Sequence, residues 1–379
     1  MKIAIDARSL EGDKTGVGRY LENLLRVWRK RKDVEFIIYF KDLVPDVSGA
    51  DKNYFESDNF TLKRLDNPFG FSSNFFFQHF LLPYNLKKDG ADFFFSPFYL
   101  RPFFCGIKSA IVLHDISYEA HPEWFDKKSQ LVLRALSKIS AYKADLIFTV
   151  SSYSKSEIVK YYKIAPEKIV VTTLAVDSGF GKGADEKGID EIKNKFGLSR
   201  FVLNLGTIFT RRRVSEIIDG FEEFLKGDKS FQLLIVGKNA TFPFVDVDRK
   251  IEGINKRFKG DRIVRVDFVS EGDLINLYGG CEAVIYLSDY EGFGLPVIEA
   301  QSFGKPVITS YNSSLVEVGG DSVEFAKENE PECISQSFNR VLGSKEYQEE
   351  LIAKGGDNIK RFNWQKAADD TLSAILRKI

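Results

Sequence analysis

The chain has 379 residues, 44% of them hydrophobic and 28% charged, which excludes a disordered or membrane-embedded polypeptide and fits about two globular domains. Lys plus Arg and Asp plus Glu both number 54, so no global charge points to a nucleic-acid partner. Cys105, Cys281 and Cys333 are scattered without CxxC spacing, which argues against a disulfide framework and a zinc site and for a reducing compartment.

The opening "MKIAIDARSL" is interrupted by Asp6 and Arg8, too early for a signal segment, and reads as a first buried strand. Short apolar, β-branched runs then alternate with longer amphipathic ones, the pattern of βαβ units and parallel sheets. In the first half, strands are expected at "KIAID", "EFIIYF", "DFFFS", "AIVLHD" and "LIFTVS", with helices over 17–30, 127–143 and 153–162. The most apolar stretch, "DFFFSPFYLRPFFCGIKSAIVL", carries Arg101, Lys108, two prolines and a glycine, so it does not make a membrane-spanning helix. "DSGFGKGADEKGIDE" is rich in glycine and charge and reads as a linker near residues 178–195. A second cycle follows with "FVLNLG", "FQLLIVG", "IVRVDFV", "AVIYLS" and "PVITS". In the tail, Trp364, Ala367, Ala368, Leu372 and Ile375 fall at helical spacing and predict an apolar stripe packed on another element. The whole reads as an α/β protein of two Rossmann-like halves.

"YEGFGLPVIEA" concentrates the chemistry. Glu291 and Glu299 stand eight positions apart with Gly292, Gly294 and Pro296 between them. "AVIYLS" is a buried strand by content, so "DYEGFG" is the loop at its carboxyl end, where doubly wound sheets bind ligands. The glycines allow a sharp turn and close approach to a ligand, and Pro296 suits the first turn of a helix. That helix N-terminus is an anion site. Glu299 lies near its start and leans back toward the ligand, able to accept from paired hydroxyls such as those of ribose. Glu291 stands on the loop above. A helix-start acid and a turn glycine account for any one of these residues, but not for the combination.

"EGFGLPVIEA" resembles the E-x7-E motif of retaining glycosyltransferases of the GT-B fold, specifically glycosyltransferase family 4, in its bacterial mannosyltransferase-like branch. The resemblance extends through "TGVGRY" at 15–20, "HDISYEAHPEWF" at 114–125, "ADLIFTVSSYSKSEI" at 144–158, "LGTIFTRRR" at 205–213, "VSEGDLINLY" at 269–278 and "FNWQKAADDTL" at 362–372. It implies two Rossmann-like domains whose sheets face an interdomain cleft. An acceptor-side domain would span 1–178 and a nucleotide-sugar domain 195–362, with the terminal helix, 363–379, crossing back to the first. It implies a retaining hexosyltransferase that takes a nucleotide-diphosphate sugar, GDP-mannose favoured, and a glycan or lipid-linked glycan acceptor. It further implies a cytoplasmic setting, peripheral on the inner face of a membrane, and no cofactor.

Residue by residue, the resemblance places Arg211 and Arg212 on the diphosphate and Glu299 on the ribose. Glu291, His114 and the loop Gly292, Phe293, Gly294 and Leu295 fall on the sugar side. Gly16 and Gly18 lie against the diphosphate or acceptor, and Val236, Gly237 and Val269 near the nucleobase. His79 and His121 are read as structural, and Asp115 is left open. Arg213 stands where Asn is common, and Leu174-Ala175 where many relatives have Asn-Gly, so the chain departs from the pattern at both places. "DVD" at 246–248 looks like a metal motif, but a helix pattern follows it, so it reads as a surface helix start. The rival readings are a same-fold sugar-nucleotide epimerase or phosphorylase, a dinucleotide-binding oxidoreductase and a catalytically silent binding module. The oxidoreductase would want G-x-G-x-x-G after the first strand, which "DARSLEGDKTGVGRY" lacks. Segment 127–143 reads as an amphipathic helix with five basic residues and no acid, and with "WRKRK" at 28–32 it suggests a basic, partly apolar face.

Overall fold

The computed structural model describes residues 1–12, 16–44, 55–65, 73–177 and 179–379, so Thr15 of "TGVGRY" and Ser178 of the expected linker lie outside the described residues. The chain folds as two compact units, one of Met1–Pro122, Asp126–Leu174 and Asn363–Ile379, the other of Glu123–Phe125 and Ala175–Phe362.

The first unit carries β1 (Lys2–Asp6), β2 (Glu35–Phe40), β3 (Phe60–Arg64), β4 (Phe93–Ser96), β5 (Lys108–Val112), β6 (Leu146–Thr149) and β7 (Ile169–Val171). They form one sheet in the order β3-β2-β1-β4-β5-β6-β7, with every pair parallel. The second unit carries β8 (Arg200–Leu205), β9 (Phe231–Val236), β10 (Ile263–Val266), β11 (Ala283–Tyr286), β12 (Val307–Ser310) and β13 (Glu324–Ala326), in the order β10-β9-β8-β11-β12-β13. Each sheet is doubly wound, and its direction of winding reverses beside its first strand, between β1 and β4 and between β8 and β11. Central strands are buried on both faces, so they read as continuous apolar runs such as "IAI" and "LLIV".

The strands that sequence patterning missed are β3, β7 and β13, and all three are sheet edges. At the fourth edge, β10 was expected over 263–269 but ends at Val266. Val266 pairs with Val236, the last residue of β9, and Gly237 N–H closes the ladder on its carbonyl. With no further strand to pair with, the chain turns away. Val269 therefore does not end a strand, and its expected place beside the nucleobase loses that support.

The glycine-rich linker is also corrected, because residues Glu186–Phe196 form a helix. Asp185 caps it by accepting from Gly188 N–H, and Gly197 ends it in the left-handed conformation. It lies against the helix Glu271–Gly280 because that helix ends in two glycines. A Cβ on Gly279 would come within 2.5 Å of the Ala184 methyl, and one on Gly280 within 2.9 Å of Ile189. The helix Lys127–Lys143 is inside out. Gln130, Ser137 and Ser140 are buried beneath it and Arg134 is held by Glu119 at 2.7 Å, while Leu131, Val132, Ile139 and Tyr142 are exposed. "WRKRK" offers less charge than its composition suggests, since Arg31 is held by Asp33, and its Trp28 is core. Among the described residues no helix is long and apolar enough to cross a membrane.

Within the first unit, the helix Trp364–Leu376 packs on the helix Gly16–Trp28. Trp28 Nε1–H donates to the Ala368 carbonyl at 3.0 Å, and the Tyr20 and Trp364 rings meet edge-on with centroids 6.1 Å apart. Ala367, Ala368, Thr371, Leu372, Ala374 and Ile375 form its buried stripe. Leu372→Ala is expected to cost about 2–5 kcal/mol, read as a lower denaturant midpoint. A chain ending at Phe362 should lose solubility, since the stripe's partner face and the Trp28 indole N–H are then left open. Normal folding of that shortened chain would show the terminal helix to be dispensable.

Candidate active site

The carboxyl ends of β8 and β11 lie side by side, and the loops that leave them build the site. Gly206 follows β8 with φ +107, and a Cβ there would come within 1.9 Å of Arg212 Nη1. Only glycine lets the Arg212 guanidinium fold back over its own strand end. Gly237 performs the same service one strand over, where a Cβ would meet the Gly206 carbonyl at 2.2 Å. Arg212 Nη1–H then donates to the Thr207 carbonyl at 3.3 Å, and Nε–H to Glu291 Oε1 at 3.3 Å.

Arg211 Nε stands 4.0 Å from the same Glu291 oxygen. The side chains of Arg211, Arg212 and Glu291 are only 13%, 18% and 10% exposed, so they interact in a medium far less screening than water. Arg211 packs over the Phe209 ring at 4.7 Å and Arg212 over the Tyr286 ring at 5.2 Å. Burial, against the opposing pull of Arg212, pushes the Tyr286 hydroxyl far above its usual range, and it hydrogen-bonds Glu291 as a neutral donor.

Arg213 does something else. It pairs with Glu216 at 2.8 Å and with Asp289 at 2.6 Å, and Asp289 N–H donates to the Arg211 carbonyl at 2.8 Å. It is a strut between the two loops. Its φ of +50 is a left-handed conformation that Asn tolerates more readily than Arg.

The Gly-Phe-Gly turn reaches φ +106 at Gly294, which stands at the N-cap of the helix Leu295–Ser302 with Pro296 in the first turn. A Cβ on Gly294 would lie 2.6 Å from Leu315 Cδ2. Leu295 is half-buried, and Phe293 is buried with its ring edge-on to Phe362. Glu299 is buried in that helix, and its Oε2 accepts from the Tyr278 hydroxyl at 2.7 Å. Burial raises the pKa of Tyr278, stacked on Phe303, further above the ordinary tyrosine value, so it donates as a neutral hydroxyl. Tyr278, Tyr286, Gly206 and Asp289 escaped sequence reasoning. The positions of Tyr278 inside "VSEGDLINLY" and of Gly206 inside "LGTIFTRRR" did carry a signal.

His114 belongs to the first unit, two residues past β5. Its Nε2 lies 3.0 Å from the Pro97 carbonyl, so that nitrogen carries the proton and Nδ1 is the acceptor. Burial lowers its pKa below the ordinary histidine value, and the ring is neutral at pH 7. Tyr20 meets it edge-on at 5.0 Å from the helix whose first turn holds Gly16, exposed, and Gly18, buried. Asp115 accepts from the Ser117 N–H and hydroxyl, which turns the chain after the strand. His79 stacks on Phe103 and accepts from its N–H. Arg211, Arg212 and Glu291 are thus brought into one cluster and Glu299 onto the adjoining helix, while His114, Gly16 and Gly18 lie in the other unit. In "DVD", Asp246 caps the helix Val247–Phe258 and Asp248 pairs with Arg265 at 2.6 Å, so both carboxylates serve the fold.

Doubly wound parallel sheets in both units, with a last helix that returns to the first, are the arrangement of GT-B glycosyltransferases. Two family models match, "Glycosyltransferase Family 4" over residues 14–180 and "Glycosyl transferases group 1" over 185–357. The chain belongs to glycosyltransferase family 4, whose enzymes transfer a sugar from a nucleotide sugar with retention. It is 25% identical over 388 residues to the O-antigen chain mannosyltransferase B of Escherichia coli, covering 99% of each chain. It is also 25% identical over 241 residues to the MMP alpha-(1->4)-mannosyltransferase of Mycolicibacterium hassiacum, covering 62% of this chain and 54% of the other. Among solved structures, Anabaena HepE in complex with UDP and glucose superposes with a TM-score of 0.73 at 17% identity, covering 100% of both chains.

Arg212→Ala is expected to lower kcat/KM for the nucleotide sugar by about 2.7–4 kcal/mol of transition-state stabilisation, the scale of a lost oxyanion donor. Gly206→Ala should reproduce much of that loss by displacing the guanidinium. Combining the two should cost less than their sum, because both act on one group. Steady-state kinetics of the single and double variants check this, and strict additivity would contradict the shared cause.

Proposed function

We propose that the chain is a mannosyltransferase that moves a hexose from GDP-mannose to a glycan or lipid-linked glycan acceptor without a metal ion. The observation that carries the reading is the desolvated Arg211–Arg212–Glu291 cluster beside the N-terminus of the helix Leu295–Ser302. A leaving nucleoside diphosphate gathers negative charge, and two guanidinium groups and a helix terminus are suited to neutralise it. Arg211 Nε is a buried donor with no hydrogen-bond partner among the described residues, which a phosphate oxygen would satisfy. Glu299, its carboxylate steadied by Tyr278, takes the ribose hydroxyls, and Val236 and Gly237 border the base. Glu291 and the amides around Phe293 and Gly294 grip the sugar from the second unit, and His114, Gly16 and Gly18 keep in the first unit the sugar, diphosphate and acceptor roles that the family resemblance implies.

In the front-face form of a retaining transfer, the acceptor oxygen bonds to C1 from the side that the phosphate leaves. The acceptor proton passes to the departing phosphate oxygen. Glu291, held by Arg212 and Tyr286, serves as an acceptor that positions the sugar and not as a nucleophile. The mannosyltransferase names of the two relatives favour mannose over other hexoses.

A panel of GDP-mannose, UDP-glucose, UDP-galactose and UDP-N-acetylglucosamine, read by nucleotide release, tests the donor. GDP-mannose should be turned over fastest. A UDP-sugar in first place would end the mannose reading, and silence on every donor would end the transfer reading. Activity is expected to survive excess EDTA, since arginines and backbone meet the phosphate charge. Loss in EDTA with recovery on manganese would contradict this.

The inside-out helix Lys127–Lys143 supports a peripheral place on the cytoplasmic face of a membrane. Its outward residues Leu131 and Val132 are 67% and 55% exposed, and Phe104, 81% exposed, lies under Lys143 Nζ at 5.9 Å. Lys127, Lys138 and Lys143 accompany this stripe and the helix contains no acid, which complements an anionic lipid surface. Each basic residue near such a surface contributes about 1 kcal/mol. Sedimentation with phosphatidylglycerol vesicles should show binding that weakens with salt and falls in Leu131→Ser with Ile139→Ser, or Lys127→Glu with Lys143→Glu. Wild type left in the supernatant at low salt would point to a soluble acceptor.

A further inference from the structure

The segment after β12 clasps the Gly-Phe-Gly loop through two consecutive serines that neither the motif nor the arginine cluster explains. Ser314 is fully buried, and its Oγ lies 2.8 Å from the Glu291 carbonyl oxygen and 2.8 Å from that of Phe293. Its single hydroxyl proton is shared between the two acceptors. Ser313 Oγ accepts from the Glu291 N–H at 3.3 Å. Ser313 itself adopts φ +49, a left-handed conformation that residues other than glycine rarely take. Both peptide groups of Glu291 are therefore held by neighbouring side chains. Strain of this kind persists where the surroundings over-determine it, and it concentrates at functional sites.

A consequence follows from the planar trans peptide. A carbonyl turned toward Ser314 turns the N–H of the next residue the opposite way. The Glu291 and Phe293 carbonyls point at Ser314, so the amides of Gly292 and Gly294 are aimed away from it. The same clasp fixes the backbone from which the Glu291 carboxylate reaches Arg212. Without the hydroxyl, the two glycines leave the loop free to turn either peptide over, since glycine adopts both signs of φ with ease.

We propose that Ser314, assisted by Ser313, is a positioning residue of the transfer. It touches no reacting atom, but it sets the direction of the Gly292 and Gly294 amides and the stance of Glu291 toward the donor sugar. This rests on the reading that the loop grips the sugar of a nucleotide-diphosphate donor. The nucleotide itself is assigned to Arg211, Arg212, Glu299 and the terminus of the helix Leu295–Ser302, whereas the Ser314 hydroxyl bonds the Glu291 and Phe293 carbonyls, so the two halves of the donor separate in experiment.

The test compares wild type, Ser314→Ala and Ser314→Cys in the full chain, using the donor that wild type turns over best. Measurements are kcat, KM, calorimetric affinity for the matching nucleoside diphosphate, and Tm. Ser314→Ala should lower kcat by roughly ten- to hundredfold, the scale of losing a partner that orients a site group. Affinity for the nucleoside diphosphate should stay within about threefold of wild type, and Ser314→Cys, a weaker donor of similar shape, should recover part of kcat. Wild-type kcat in Ser314→Ala overturns the proposal. So does a loss of nucleotide affinity and Tm in step with kcat, which would mark a purely structural serine. A wild type silent on every donor would instead defeat the transfer reading itself, so the two failures are distinguishable.

Discussion

The close approach of Arg212 to the end of its own strand is the constraint on which the second unit's site depends. A guanidinium within 2 Å of where a Cβ would sit demands glycine at position 206, and the same crowding repeats between Gly237 and the Gly206 carbonyl. The charge so placed is mostly out of water and must be answered by an opposite charge, which Glu291 supplies from the neighbouring loop. Two loops that are 79 residues apart in sequence become one site through this pair.

The winding of the sheet makes the pairing available. β8 is the first strand of its unit and β11 lies on its other side from β9, so the chain leaves the two strands in diverging directions and opens space at their carboxyl ends. The Arg213–Asp289 strut, the Asp289 amide on the Arg211 carbonyl and the serine clasp then hold the loops at fixed separation. Preorganisation of this kind suits a reaction in which charge develops on a leaving group, since the compensating dipoles need not reorganise as it departs.

A desolvated arginine–glutamate pair also gives the site a resting state. With Glu291 as partner the guanidinium is compensated, and in the proposed reading an arriving diphosphate would offer a stronger, bidentate acceptor in its place. In that reading the carboxylate, still held by the Tyr286 hydroxyl, would become available to a sugar. Two neutral tyrosines thus steady the two glutamates, Tyr286 for Glu291 and Tyr278 for Glu299. Burial pushes both hydroxyls further above the ordinary tyrosine range.

Much of this was determined by the sequence alone. The alternation of apolar runs and amphipathic helices settles an α/β fold, because a strand buried on both faces admits almost nothing but apolar residues. "EGFGLPVIEA" marks the ligand end of the second sheet, since its glycines, proline and acids each answer a local backbone demand. Local rules do not reach the edges of the sheets. β3 and β13 face a neighbour on one side only and carry polar residues, while β7, although wholly apolar, is only three residues long. Nor do they show which face of Lys127–Lys143 turns inward, because the buried Glu119 that pairs with Arg134 lies outside the helix, 15 residues before it in sequence. The partners of the site residues are also a tertiary decision. Tyr278, Tyr286, Ser313 and Ser314 look ordinary in sequence, and they gain their roles only when separate strands and helices bring their hydroxyls within hydrogen-bond distance of one loop and two carboxylates.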